Sequence, residues 1–158
     1  MDSRTIIKAT KADGLAIHEL IASVLGASGL YHLRPTFVDD DINDLEANYF
    51  SQKGYFWVLK NDAGGLTASV AIGRIDDTTC ELRKMYLLVQ EQGKGIGKLL
   101  LQTAIAKAKE LGYAAMILKT NSQLGTAIGL YKKYGFQPVQ ISEKDKKADC
   151  DVAMRLDL

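Results

Sequence analysis

The chain has 158 residues, 47% of them hydrophobic and 25% charged, with a formal net charge of +1. That length can bury a sizeable core; the balanced charge excludes a dedicated nucleic-acid binder, and no apolar run is long enough to cross a bilayer as a helix. Cys80 and Cys150 are too few to staple a domain of this size, and Met1-Asp2-Ser3-Arg4 leads into no signal-like core, so reduced thiols and a cytoplasmic location are expected.

In chain order, Thr5 to Ala9 reads as a short strand. Thr10-Lys11-Ala12-Asp13 then offers a hydroxyl cap with an acid three residues on, ahead of Leu15, Ile17, Leu20, Ile21, Val24 and Leu25 at helical spacing. Residues 27–38 are irregular, with Gly29 and Pro35. Asp39, Asp40 and Asp41 favour a helix start, with Ile42, Leu45, Tyr49 and Phe50 as its apolar stripe. Tyr55 to Lys60 is aromatic and β-branched, Asn61 to Gly65 is turn-like, and Leu66 to Ile75 returns as a hairpin partner. Cys80 to Val89 reads as a further strand, Leu99 to Leu111 as an amphipathic helix closed by Gly112, and Ala114 to Lys119 as a buried strand. A helix from Gly125 or Thr126 to Tyr134 and strands over Val139 to Ile141 and Asp151 to Leu156 complete the chain, with a charged loop at Glu143 to Lys147. Strands that meander first and then alternate with helices imply an α/β fold on a mixed sheet with helices on both faces. Residues 1–158 are expected to form one domain.

Gln92-Gly93-Lys94-Gly95-Ile96-Gly97-Lys98 lies between a strand end and a helix start. Glycines there let bare N–H groups crowd an anion, and the helix dipole adds attraction, so a phosphorylated ligand is expected. A P-loop would need a glycine at Gln92 and a hydroxyl at Leu99, and the dinucleotide fingerprint would need a glycine at Lys98; neither pattern is met. Q-x-x-G-x-G over Gln92 to Gly97 resembles the acetyl-CoA pyrophosphate loop of the GNAT N-acetyltransferase superfamily. Glu81 to Leu87 is similar to that family's fourth strand, and Ala127 to Phe136 matches its A-x-x-L-Y-x-x-x-G-F helix.

The resemblance implies a mostly antiparallel sheet of about seven strands, splayed between the fourth and fifth, with acetyl-CoA in the gap. It implies pyrophosphate binding by the amides of Gly93 to Gly97, with Gln92, Ile96, Lys94 and Lys98 in the same loop. Main-chain groups of Tyr86, Leu87 and Leu88 would hold pantetheine, with the Leu87 N–H on the thioester carbonyl. Relatives often carry proline where this chain has Val89. Tyr131 takes the place of the acid that protonates the leaving thiolate, or packs as a core tyrosine. Asn121 would hold pantetheine or the start of the last helix.

Glu81 is the first candidate base, with an ion pair to Arg83 or to a neighbouring strand as the competing role; His32 is a second candidate base, and His32 and Arg34 are the candidate substrate-binding residues. Strand alternation would put Glu81, Arg83 and Met85 on one face. Relatives that acetylate protein N-termini carry glutamate where Lys119 stands, which argues against that substrate class.

The expected activity is direct acetyl transfer from acetyl-CoA to a primary amine in a ternary complex. The acceptor is a small molecule or peptide, with no metal and either a monomer or a homodimer. A catalytically silent CoA-binding sensor on the same fold is the alternative.

Overall fold

The structure is a computed structural model that describes residues 5–30, 39–147 and 150–158. Seven strands, β1 (Ile6–Lys8), β2 (Tyr55–Lys60), β3 (Leu66–Arg74), β4 (Thr79–Leu87), β5 (Ala115–Thr120), β6 (Gln137–Val139) and β7 (Val152–Asp157), form one sheet. Their order is β1-β2-β3-β4-β5-β7-β6, antiparallel throughout except for the parallel pair β4–β5. The helices are α1 (Gly14–Ala27), α2 (Leu45–Asn48), α3 (Ile96–Glu110) and α4 (Gly125–Lys133). The α/β class, the mixed sheet and its seven strands are as expected.

Alternation along the strands sorts the core into two clusters, one on each face. Trp57, Leu59, Val70 and Ile72 pack against Leu100, Leu101 and Ala104 of α3. Phe56, Val58 and Ala71 point the other way, against Ile17 and Ile21 of α1 and against Ile42 and Tyr49. Of the apolar positions expected on α1, Leu15 is 73% exposed.

Several boundaries differ from the sequence expectation. The stretch from Asp39 to Phe50 is not one helix but a 3-10 turn at Asp40–Asn43, the single turn α2 and a second 3-10 turn at Phe50–Gln52. Asp44 breaks it with an extended backbone, and its carboxylate accepts the Ala47 N–H. β4 stops at Leu87, and Val89 opens a 3-10 turn. α3 starts at Ile96 because Gly95, left-handed at φ 79°, is its N-cap, so Gly97 and Lys98 belong to its first turn. β6 occupies Gln137–Val139 and so starts and ends two residues before the expected Val139 to Ile141; Pro138 is tolerated there because β6 is an edge strand.

Gly54 carries a packing constraint. A Cβ there would fall 2.6 Å from the Ile72 carbonyl oxygen and 2.9 Å from that of Tyr49, neither of which can rotate away. Gly54→Ala is expected to cost about 1–3 kcal/mol. Urea unfolding checks this, and an unchanged midpoint would contradict the close approach.

Candidate active site

β4 and β5 pair only at Thr79–Ala115, Cys80–Met116 and Glu81–Ile117. Beyond those three rungs the strands part, and a cavity of about 920 Å³ opens between them. The expected splay between the fourth and fifth strands is therefore present. Leu88 N–H donates to Thr67 O on β3 at 3.0 Å. By strand alternation the Leu87 N–H then points to the opposite edge of β4, into the gap.

At one end of the cavity, Gly93 and Gly95 have φ of 77° and 79°, a region that L side chains avoid. The hydrogen-bond ladder of α3 begins with Leu99 N–H to Gly95 O at 3.2 Å. The N–H groups of Gly95, Ile96, Gly97 and Lys98 are thus the open donors of the helix N-terminus. Gly97 sits within the first turn, where a Cβ would meet the Leu130 side chain at 3.4 Å. The geometry fits an anionic group held by main-chain amides. Lys98 lines the cavity, whereas Lys94 does not and lies 3.7 Å from Glu91 Oε2.

Tyr131 enters from α4. The helix ends with Gly135 left-handed at φ 97°, Gly135 N–H on Lys132 O and Phe136 N–H on Tyr131 O, both at 3.0 Å. This is a Schellman cap, and it places Tyr131 three positions before the cap and Phe136 two after it. Their rings lie 5.8 Å apart, the hydrophobic contact such a cap favours. The L-Y-x-x-x-G-F spacing is therefore the sequence of a capped helix end that fixes the Tyr131 side chain. The phenol is 6% exposed, lines the cavity and lies 3.8 Å from Met85 Sδ. Burial pushes its pKa up to about 12, so it keeps its proton at neutral pH and has one to donate.

The other end of the cavity is ionic. Arg83 Nε donates to Glu81 Oε1 at 2.5 Å, and Lys119 Nζ lies 3.2 Å from Glu81 Oε2 and 3.7 Å from Asp145. Glu81 is 7% exposed, and each of its oxygens faces a cation. The expected ion pair with Arg83 forms, and Lys119 adds a second. Gly73 makes room for it, since a Cβ there would lie 2.1 Å from Arg83 Nη1.

Met85 does not share the face of Glu81 and Arg83. Ala71 pairs with Arg83 but Ser69 pairs with Tyr86, so β4 carries one extra residue. That residue is Lys84, at φ 52°. The bulge reverses the alternation, turning Met85 and Leu87 to the α3 side and Tyr86 to the α1 side.

The remaining expectations divide. Tyr86, Gln92 and Asn121 line the cavity, and Asn121 Oδ1 caps the approach to α4 by accepting the Gln123 N–H at 2.9 Å. Leu88 does not line it: its N–H serves Thr67, and its carbonyl accepts from Glu91 N–H. His32 and Arg34 lie outside the described residues. The role of Lys84 and the contact of Met85 with Tyr131 were not foreseen. The adjacent charges Arg83-Lys84, inside an otherwise alternating strand, were the available signal for the bulge.

Comparisons with known proteins agree with this geometry. The model of the acetyltransferase (GNAT) domain family matches residues 52–138. The uncharacterized N-acetyltransferase YjgM of Escherichia coli is 32% identical over 94% of this chain and 92% of its own length. A GNAT-family acetyltransferase structure from Staphylococcus aureus superposes with a TM-score of 0.90 at 21% identity, covering 99% of both chains. A candidate acetyltransferase from Salmonella typhimurium, solved with its cofactor acetyl-CoA, gives a TM-score of 0.76 at 28% identity over 99% of this chain and 94% of its own.

Burial also sets a pH limit. It raises Tyr131 from 10.0, and Cys80 from 9.0, to about 12. Between the ordinary and raised values the unfolded chain binds fewer protons than the folded one, so stability falls as pH rises. The contribution is expected to be complete below about pH 9 and lost progressively towards pH 12. Urea midpoints measured against pH check it: Cys80→Ala should remove the part that begins near pH 9, and Tyr131→Phe its share of the part that begins near pH 10, to which the buried Tyr49 and Tyr113 also contribute.

Proposed function

The chain belongs to the GNAT acetyltransferase family and is an acyl-CoA-dependent N-acyltransferase, and from that premise we propose that it moves an acetyl group from acetyl-CoA directly to a primary amine while both are bound. Residues 1–158 would act as one acetyltransferase domain. The observation that carries the reading is the pairing of open α3 amides at one end of a splayed strand pair with a buried, protonated phenol in the same cavity.

Acetyl-CoA supplies an activated acyl thioester when bound. The amides of Gly95 to Lys98, with the left-handed turn at Gly93 and Gly95, hold the diphosphate, and Lys98 adds charge beside it. The edge of β4 pairs with the extended arm as another strand would. Leu87 N–H donates to the acyl oxygen, where negative charge grows during attack. Tyr131 holds a proton at its phenol oxygen for the departing sulfur. No cysteine is needed for direct transfer, and Cys80 is buried with its thiol pKa pushed up. Glu81 is bridged to Arg83 and Lys119, so it can take a proton from an amine only by giving up part of both bridges. Water can carry that proton instead.

Calorimetric titration with acetyl-CoA tests the foundation, and a chain that fails to bind it at near-millimolar concentration has another function. Gly95→Ala places a side chain at positive φ and is expected to weaken binding about tenfold. Tyr131→Phe should bind acetyl-CoA like wild type, yet release thiol roughly 100-fold more slowly with whichever amine is active. Undiminished turnover would remove Tyr131 as the acid. Binding with no thiol release across an amine panel would point to the sensor instead.

A further inference from the structure

Lys84 is the one residue of β4 that breaks the strand's alternation, and its backbone adopts a conformation that L-residues with long side chains avoid. Among the described residues, three contacts hold it. Ser69 Oγ donates to the Lys84 carbonyl at 2.6 Å from β3. Lys84 Nζ lies 2.7 Å from Asp39 Oδ1 and 3.1 Å from Asp41 Oδ1, with a side chain 7% exposed. Asp41 also accepts a hydrogen bond from the Tyr49 phenol, and Tyr49 is fully buried edge-on against Phe56. The ammonium therefore ties the bulge to a turn anchored in the α1-side core.

We infer that Lys84 is a positioning residue whose ion pairs with Asp39 and Asp41 hold the β4 bulge in the arrangement that aims the Leu87 N–H into the splay. Were Lys84 to take a regular strand position instead of bulging, the alternation would run straight on from Arg83. Leu87 would then turn its N–H towards β3, and Met85 would leave Tyr131. The clamp thus acts on the acyl carbonyl from the opposite face of the sheet, through the bulge it holds. The inference rests on the proposed acetyl-CoA reading, because it concerns the donor to the acyl oxygen.

Acetyl-CoA and CoA differ at the acyl group and share the diphosphate and pantetheine, so the ratio of their affinities isolates the acyl contact. Calorimetry with both ligands on the full chain is the test. Wild type is expected to prefer acetyl-CoA. Lys84→Met should lose that preference by about two- to tenfold, the worth of one hydrogen bond, with CoA affinity unchanged within about twofold. Lys84→Arg should restore it, and Asp39→Asn, which leaves the lysine paired to Asp41, should shift it the same way by less. Removing the cation between two carboxylates is itself destabilising; if Lys84→Met unfolds, Asp39→Asn and the charge-matched double variant Lys84→Met/Asp39→Asn decide. A wild-type preference retained in the variants, an equal loss for both ligands, or no preference in wild type overturns the inference. Failure of wild type to bind either ligand overturns the proposed function itself, and is recognised because the unaltered chain fails.

Discussion

Only three rungs join β4 to β5, and the parting of the two strands after Glu81 and Ile117 governs what the rest of the molecule can do. Inside a sheet, every main-chain N–H and C=O normally finds a neighbour. Here the inner edge of β4 faces a cavity, which is tolerable only if solvent or a strand-like ligand answers it. The parting is held by charge at its apex, where Lys119 of β5 reaches Glu81 of β4 and, more loosely, Asp145 from the loop before β7.

The two ends of the cavity use different physics. The α3 end offers dipoles: open amides made available by two left-handed glycines, suited to an anion whose charge is spread over several oxygens. The opposite end holds full charges already matched to one another, Asp41 with Lys84 and Glu81 with Arg83 and Lys119. A buried network of this kind is strongly destabilised by removal of one member, so it resists drift and fixes geometry more than it adds stability. Tyr131 lies apart from it, with Met85 Sδ as its polar neighbour, and its proton is held by burial alone.

Much of this was legible from residue order. Glycines between a strand and a helix specify a positive-φ turn and an open helix end whatever surrounds them, because the reason is local sterics. The L-Y-x-x-x-G-F run is equally local, since a left-handed Gly135 forces a cap that sets Tyr131 and Phe136 together. Less local features were misplaced. A period of two carried through the bulge places Met85 on the face of Glu81, where it does not lie, and the apolar spacing from Asp39 to Phe50 suggests one helix that Asp44 breaks.

The sequence by itself determined the α/β class, the left-handed glycine turn and open helix end at Gly93 to Gly97 and the capped helix bearing Tyr131, because each follows from backbone conformations that nearby residues enforce. Only the tertiary structure decided which face Met85 and Leu87 take, that Glu81 is shared by Arg83 and Lys119, and that Lys84 reaches Asp39 and Asp41. Those outcomes depend on strand register and on partners as far as 45 positions away, and residue order does not encode such pairings in any local pattern.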